Sequence, residues 1–411
     1  MKGITCFERD TEKAEVGVKQ GKTKADVLPT VTDEVRRRVS PRKRGLLVLV
    51  DGSVYRGLGF GACKKAYGEV VFNTGMMGYP ESITDPSYRG QILVQTYPLI
   101  GNYGVCPLHF ESDGPKIEGY VVHEACFAPS HWASLLSLEE WFEREGVPGV
   151  YGVDTRALTK KLRVYGVMKG LIYVYEGEDP DVNELVEEAR EAPDIGELDL
   201  VKLVTTDRVL TYHPGVKPRG RVVLIDCGVK WNIIRSLLGR GLLVIRVPAQ
   251  TEFKEIMELK PDGVLISNGP GDPKKAWYVV ETARRLIDEE IPVMGICLGH
   301  QIISLAIGAE TYKLKFGHRG QNHPCVELKT GRCYITSQNH GYVVDPDTLE
   351  KDEAYVTFVN GNDKTVEGVA LRSRPVFGVQ FHPEASPGPY DTGFLFDRFV
   401  EMVVNRGGRA A

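Results

Sequence analysis

The sequence predicts an α/β protein in two parts, a mixed α+β domain followed by a doubly wound, mainly parallel sheet. Three observations predict it. The chain has 411 residues, enough for two or three domains. Residues 45–175 hold short β-like runs broken by glycine and proline, with few helical patterns between them. From Arg221 onward the rhythm changes, and short, almost wholly apolar runs alternate with longer amphipathic ones. Strands buried on both faces read this way, with a helix returning the chain to each next parallel strand.

The composition is that of an ordinary globular protein, 42% hydrophobic and 26% charged. No apolar run reaches the ~18 residues of a membrane span. The opening MKGITCFERDTEK lacks the apolar centre of a secretory signal, so a cytoplasmic location and no membrane partner are expected. A net charge of −4 gives no reason to expect nucleic-acid binding. Eight cysteines, at 6, 63, 106, 126, 227, 297, 325 and 333, include no CxxC pair. That argues against a structural zinc site and a disulfide framework, and no metal is expected.

Residues 1–44 carry 12 basic against 7 acidic residues, few large apolar ones, and end in RRRVSPRKR. A disordered extension is expected there, with a targeting or partner-binding arm as the alternative. Next, GLLVLVDGSVYRG reads as a β-hairpin turning at Asp51-Gly52. EVVFNT, QILVQTY and GYVVHEACF read as further strands. Ser137 and Glu140 have capping-box spacing at the start of a helix, SLEEWFEREG. Asp154 caps a second helix over TRALTKKL, and VNELVEEAREA closes an N-terminal domain at 45–195. Residues 196–219 read as a linker.

Over 220–405 the alternation is regular. RVVLI, LLVIRV, GVLIS and PVMGI are strands, followed by the helices VKWNIIRSLLGRG, TEFKEIMELK, one opened by Asp272-Pro273, and LGHQIISLAIGAE. In such sheets ligands bind beyond the carboxyl ends of the strands, so those loops should carry the chemistry.

Three of the loops are unusual. SNGPGDP (267–273) places bare backbone N–H groups beside a helix start, a natural site for developing negative charge. It has neither phosphate-loop spacing, and on its own reads equally as a tight turn. Gly295-Ile-Cys297-Leu-Gly299 is the thiol form of a nucleophile elbow, with a helix N-terminus aimed at the sulfur. Taken singly, Cys297 is also an ordinary core cysteine. Phe381-His382-Pro-Glu384 follows the strand PVFGVQ, where a histidine can take a proton from a thiol while a carboxylate fixes its tautomer. Alone it is a surface turn. All three fall at strand ends of one sheet, and together they specify acyl transfer through a thioester.

GICLGHQ, SNGPGDP and FHPE at these separations resemble the triad-type, class I glutamine amidotransferase domain. EVVFNTGMMGYPESITDPSYRGQILVQTYPLIGNYGV (69–105), YGVDTRALTKKLRVYG (151–166), DCGVKWNIIRSLLGRG (226–241) and SQNHGYVVD (337–345) resemble the small-subunit family of carbamoyl-phosphate synthetase. The resemblance covers the chain from about Gly45 onward. It implies Cys297 as nucleophile, His382 as base and Glu384 as its orienting partner, with an oxyanion hole from the N–H groups of Leu298 and Gly269. It implies glutamine contacts from Ser87, Gly269, Gly271, Leu298, Gln301, Asn339, Gly341 and Tyr342, the last often phenylalanine in relatives. It also implies a glutaminase that passes ammonia to a large subunit, which makes carbamoyl phosphate for arginine or pyrimidine synthesis. No Walker motif is present, so ATP and Mg are expected on the large subunit and no cofactor on this chain. An amidotransferase for another acceptor would usually consist of the triad domain alone, against which the domain at 45–175 argues. A silent regulatory subunit is disfavoured by the intact Cys297, His382 and Glu384.

Overall fold

The computed structural model describes residues 43–407. The extension expected over 1–44 therefore lies outside the described residues except for Lys43 and Arg44, and Arg44 already begins the first strand.

The N-terminal part is a closed barrel. Its strands are β1 (Arg44–Leu49), β2 (Val54–Gly61), β3 (Lys65–Asn73), β4 (Gln91–Gln95), β6 (Gly119–Val121), β8 (Pro148–Tyr151) and β9 (Met168–Tyr175). They run in the order β1-β2-β8-β6-β4-β3-β9, and β9 pairs back onto β1. The short strands β5 (Leu99–Ile100) and β7 (Glu124–Ala125) form a separate parallel pair. The predicted hairpin is β1–β2, with Val48 opposite Val54 and Gly52 at φ 86° in the turn. Leu47, Val70, Ile92, Val121, Val150 and Ile172, from six barrel strands, pack in one cluster. Leu158 and Leu162 of the helix Thr155–Tyr165 join it, and Asp154 caps that helix by accepting from Ala157 N–H at 2.9 Å. The helix Leu138–Glu145 carries the predicted capping box, with Glu140 N–H donating to Ser137 Oγ at 3.2 Å and Ser137 N–H to Glu140 Oε2 at 2.9 Å.

The second part is one ten-stranded sheet. Its strands are β10 (Leu210–Tyr212), β11 (Gly220–Asp226), β12 (Leu242–Pro248), β13 (Gly263–Ile266), β14 (Val293–Ile296), β15 (Thr311–Glu327), β16 (Cys333–Val344), β17 (Ala354–Asn360), β18 (Val366–Leu371) and β19 (Val376–Val379). The order is β10-β12-β11-β13-β14-β19-β18-β17-β15-β16. β12, β11, β13, β14 and β19 are parallel, the doubly wound core the strand–helix rhythm predicts. Alternation sorts their side chains to two faces. Val223, Ile225 and Ile266 pack against Val279 and Leu286 of the helix Trp277–Asp288, and Ile302 of the helix Leu298–Ala306. Val222, Leu224 and Ile296 pack against Ile233 of the helix Trp231–Gly239, and Phe399 of the helix Phe394–Gly407.

Three details differ from the sequence expectation. The parallel core continues into antiparallel β18, β17, β15 and β16. β15 and β16 shift register between Lys313 and His318 and again between Gly320 and His323, which erases the two-residue alternation by which such strands are read. The segment 196–219, expected as a linker, supplies β10, which pairs antiparallel with β12. Asp272 caps a 3-10 turn, Pro273–Ala276, rather than the α-helix itself, which begins at Trp277.

Ser137→Ala should cost about 1 kcal/mol, the usual value of an N-cap hydroxyl. A lower urea midpoint with unchanged catalytic behaviour is the expected result, since this helix stands on the barrel.

Candidate active site

Cys297 is the hinge between β14 and the helix Leu298–Ala306, at φ 54° and ψ −103°. A non-glycine residue held there costs about 1–3 kcal/mol, so its surroundings must enforce it. They do so by crowding. A Cβ on Gly299 would lie 2.1 Å from the Ile266 carbonyl oxygen, and one on Gly295 would lie 2.4 Å from that of Gly299. The flanking glycines are thus points of close backbone approach, while Cys297 itself takes the positive φ. Cys297 N–H donates to Val379 O at 2.8 Å and Gly299 N–H to Ser267 O at 3.1 Å, tying the elbow to the ends of β19 and β13. The thiol is buried, donates to Asn339 O at 3.6 Å and accepts from Gln380 Nε2 at 3.6 Å. Leu298 is the first residue of the helix, where backbone N–H groups have no intrahelical acceptor.

His382 follows β19, and its N–H is held by Ser337 O at 3.0 Å. Its Nδ1 is 2.6 Å from Glu384 Oε1, and among the described residues its buried Nε2 has no partner except the neighbouring Cys297 thiol. Glu384 is fully buried and pairs with Lys230, whose Nζ is 3.2 Å from Glu384 Oε1 and donates to Ala385 O at 2.6 Å. Burial opposes the Glu384 charge, but Lys230 and then His382 outweigh it and hold the carboxyl well below the usual range. Burial also opposes the imidazolium, but Glu384 together with Cys297 pushes His382 up to about 10.

Cys297 opens onto a cavity between the two parts of the chain. Ser87, Gly269, Gly271, Gln301, Asn339, Gly341 and Tyr342 all line it, so seven of the eight expected glutamine contacts converge there. Leu298 does not line it, but sits beside Cys297 with Cδ2 2.8 Å from where a Cβ on Gly269 would be. That Cβ would also come 2.1 Å from Cys227 O, so only glycine fits the turn at this point. Gln301 is fixed by donating from Nε2 to Tyr342 O at 2.8 Å and to Gln380 Oε1 at 3.1 Å.

Several residues at the site carry no motif that sequence reasoning could use. Asp85, in the TDPS run of the barrel, accepts from Asn339 Nδ2 at 2.8 Å, while Asn268 Nδ2 donates to Ser87 Oγ at 3.0 Å. Lys230 lies in a helix-like run where a lysine reads as exposed, yet it is buried. Glu69 of the barrel lines the cavity and meets Lys313 Nζ at 2.6 Å. Among the described residues, one group has metal-ligand spacing: His318, His340 and Glu367, with ligand atoms within 4.8 Å. Each ring nitrogen of His340 already has a protein oxygen within hydrogen-bond distance, Tyr342 O at 2.9 Å and Gln338 Oε1 at 2.7 Å, so an ion would have to displace one of them. No helix among the described residues is long and apolar enough to cross a membrane.

The family model for glutamine amidotransferase class-I matches residues 223–402, and that for the CPSase domain of the carbamoyl-phosphate synthase small chain matches 47–172. The carbamoyl phosphate synthase small chain of Methanopyrus kandleri is 51% identical over 360 residues, covering 87% of this chain and 99% of its own. That of Methanocaldococcus jannaschii is 50% identical over 358 residues, covering 87% and 98%. That of Archaeoglobus fulgidus is 50% identical over 360 residues, covering 88% and 99%.

Gly299→Ala should destabilise the chain by about 2–4 kcal/mol, because the new methyl meets backbone rather than a flexible side chain. Thermal unfolding checks this, and an unchanged midpoint would show that the elbow can relax. His382 gains protons on folding, since its folded value lies above the ~6.5 of an unfolded chain. Its contribution is complete below pH ~6.5 and declines as pH rises toward about 10. The stability gap between the native chain and His382→Gln should therefore narrow from pH 6 to pH 10, read as the difference in denaturant midpoints.

Proposed function

The chain belongs to the carbamoyl phosphate synthase small-chain family and carries its class I glutamine amidotransferase domain, and on that premise we propose that it hydrolyses glutamine through a thioester on Cys297 and delivers the ammonia to a large, ATP-dependent subunit. The observation that carries this reading is the placement of His382. One ring nitrogen is fixed by Glu384, the other has only Cys297 beside it, and Cys297 faces a cavity lined by Ser87, Gln301 and Asn339.

In this mechanism the Cys297 thiolate attacks the side-chain carboxamide carbon of glutamine, with His382 holding the thiol proton. The N–H groups of Leu298 and Gly269 stabilise the oxyanion. Collapse breaks the carbon–nitrogen bond, the departing nitrogen takes the proton from His382, and a glutamyl thioester remains. His382 then deprotonates a water that attacks the thioester, giving glutamate and restoring Cys297. Glu384 keeps the imidazole oriented and its charged form stable, and Lys230 keeps Glu384 ionised. A second cavity, lined among others by Asp85, Lys230, Asn339 and Pro387, also reaches His382. It offers ammonia an exit that does not retrace the path of glutamine. This chain needs no cofactor for these steps; ATP and Mg serve the partner, which forms carbamoyl phosphate from bicarbonate.

An amidotransferase serving another acceptor fits less well, because the barrel part supplies Ser87 to the pocket and Asp85 to hold Asn339. The test is synthesis by the purified complex with the large subunit. Cys297→Ala should lower glutamine-dependent carbamoyl phosphate formation by about 10³-fold or more, with ammonia-dependent formation within about twofold of normal. Full glutamine-dependent activity in the variant would refute the nucleophile. Failure to co-purify with any bicarbonate- and ATP-using subunit would refute the partner and leave the glutaminase reading standing.

A further inference from the structure

The barrel helix Thr155–Tyr165 carries a row of cations that glutamine hydrolysis does not use. Arg156, Lys160 and Arg163 follow i, i+4, i+7 spacing and so share one face, and all three are exposed. Among the described residues Arg156 and Lys160 have no ion-pair or hydrogen-bond partner, and Arg163 lies over the Phe316 ring at 5.8 Å. They border a cavity of ≈ 840 Å³ between the barrel and the β15 strand. Its far wall adds Arg319, His318 and His323. The only carboxylate in the lining is Asp363, and it is engaged 2.8 Å from His318 Nε2. Arg319 is 4% exposed and donates from Nη1 to Phe316 O at 2.7 Å, while its buried Nε has no acceptor among the described residues. A buried donor without an acceptor is costly unless something occupies the space beside it.

We propose that this interdomain cavity binds a polyphosphate, a nucleotide-sized phosphate ester or a short inorganic one. Guanidinium forks favour phosphate oxygens over other anions. The Thr74 hydroxyl, which donates only at 3.4 Å to Arg319 O, can turn to an anion, and the rings of Phe72 and Phe316, with centroids 6.1 Å apart, offer an apolar wall for a flat base. Low-dielectric walls on both sides concentrate the positive field between them. Phe316, Gly317 and Arg319 line this cavity and the Cys297 cavity alike. An anion that draws on Arg319 therefore acts on the glutamine pocket, a coupling that rests on the glutaminase reading, whereas the binding itself does not.

The test is calorimetric titration of the full chain at near-physiological ionic strength with two probes, inorganic pyrophosphate and magnesium-free ATP. Saturable binding of at least one probe is expected, weakened about tenfold or more in Arg156→Gln/Lys160→Gln, whose exposed positions leave the fold intact. Pyrophosphate alone would identify an inorganic anion, and tighter binding of ATP a nucleotide. The bound probe should also shift the KM for glutamine in the native chain and not in the double variant. Binding without any glutaminase activity would sink the reading of Cys297 and leave the site standing. Absence of saturable binding by both probes, or equal binding by the double variant, would overturn the site. Loss of large-subunit assembly in the double variant with no phosphate binding would overturn it in favour of a protein-docking surface.

Discussion

The reactive end of this molecule depends on a steric constraint, the jamming of the helix Leu298–Ala306 against the end of β13. Gly299 sits so close to the Ile266 carbonyl that no side chain fits, and this forces the turn at Cys297 into a positive φ. The parallel strands supply the rigidity that holds the strain, since Ile266, Met294 and Ile296 are fully buried on their two faces. Without that packing the elbow would relax, and the sulfur would no longer stand between His382 and the cavity that Ser87 and Gln301 line.

Around the elbow the protein buries charge, which is tolerable only when each charge is answered. His382, Glu384 and Lys230 form an alternating series with no exposed member. The barrel completes it. Burial pushes the Lys230 ammonium down, but Glu384 and then Glu111 of the N-terminal part outweigh it and raise it. Glu111 also accepts from Arg235 Nη1 at 2.9 Å and Ser386 Oγ at 2.8 Å, and from the backbone N–H of Asn232 at 3.1 Å. The two parts of the chain therefore share one electrostatic network. Asp85 and Ser87 do the same for Asn339 of β16 and for Asn268 in the loop after β13. An amidotransferase domain cut away from the barrel would lose contacts inside its own site.

Legibility followed the physics of each element. The strands β11 to β14 are buried on both faces and flanked by amphipathic helices, so their apolar runs stand out. The caps at Ser137 and Asp154 are local hydrogen bonds and were readable three residues at a time. β15 and β16 were not readable, because two bulges scramble their alternation. The residues missed at the site share one property, that their meaning comes from a distant partner. Asp85 waits for Asn339, 254 positions away, and Lys230 for Glu384.

By itself the sequence determined the class of chemistry. A thiol between close-set glycines, an N–H-rich loop and a histidine with a carboxylate two residues on are short-range patterns, and each is fixed by local backbone geometry. Tertiary structure alone decided how those patterns are tuned. Burial makes Glu384, Lys230 and His382 depend on one another, and the barrel reaches across to finish the pocket and enclose a basic cavity behind it. Charge burial and interdomain contact are sums over residues far apart in the chain, so no window of sequence contains them.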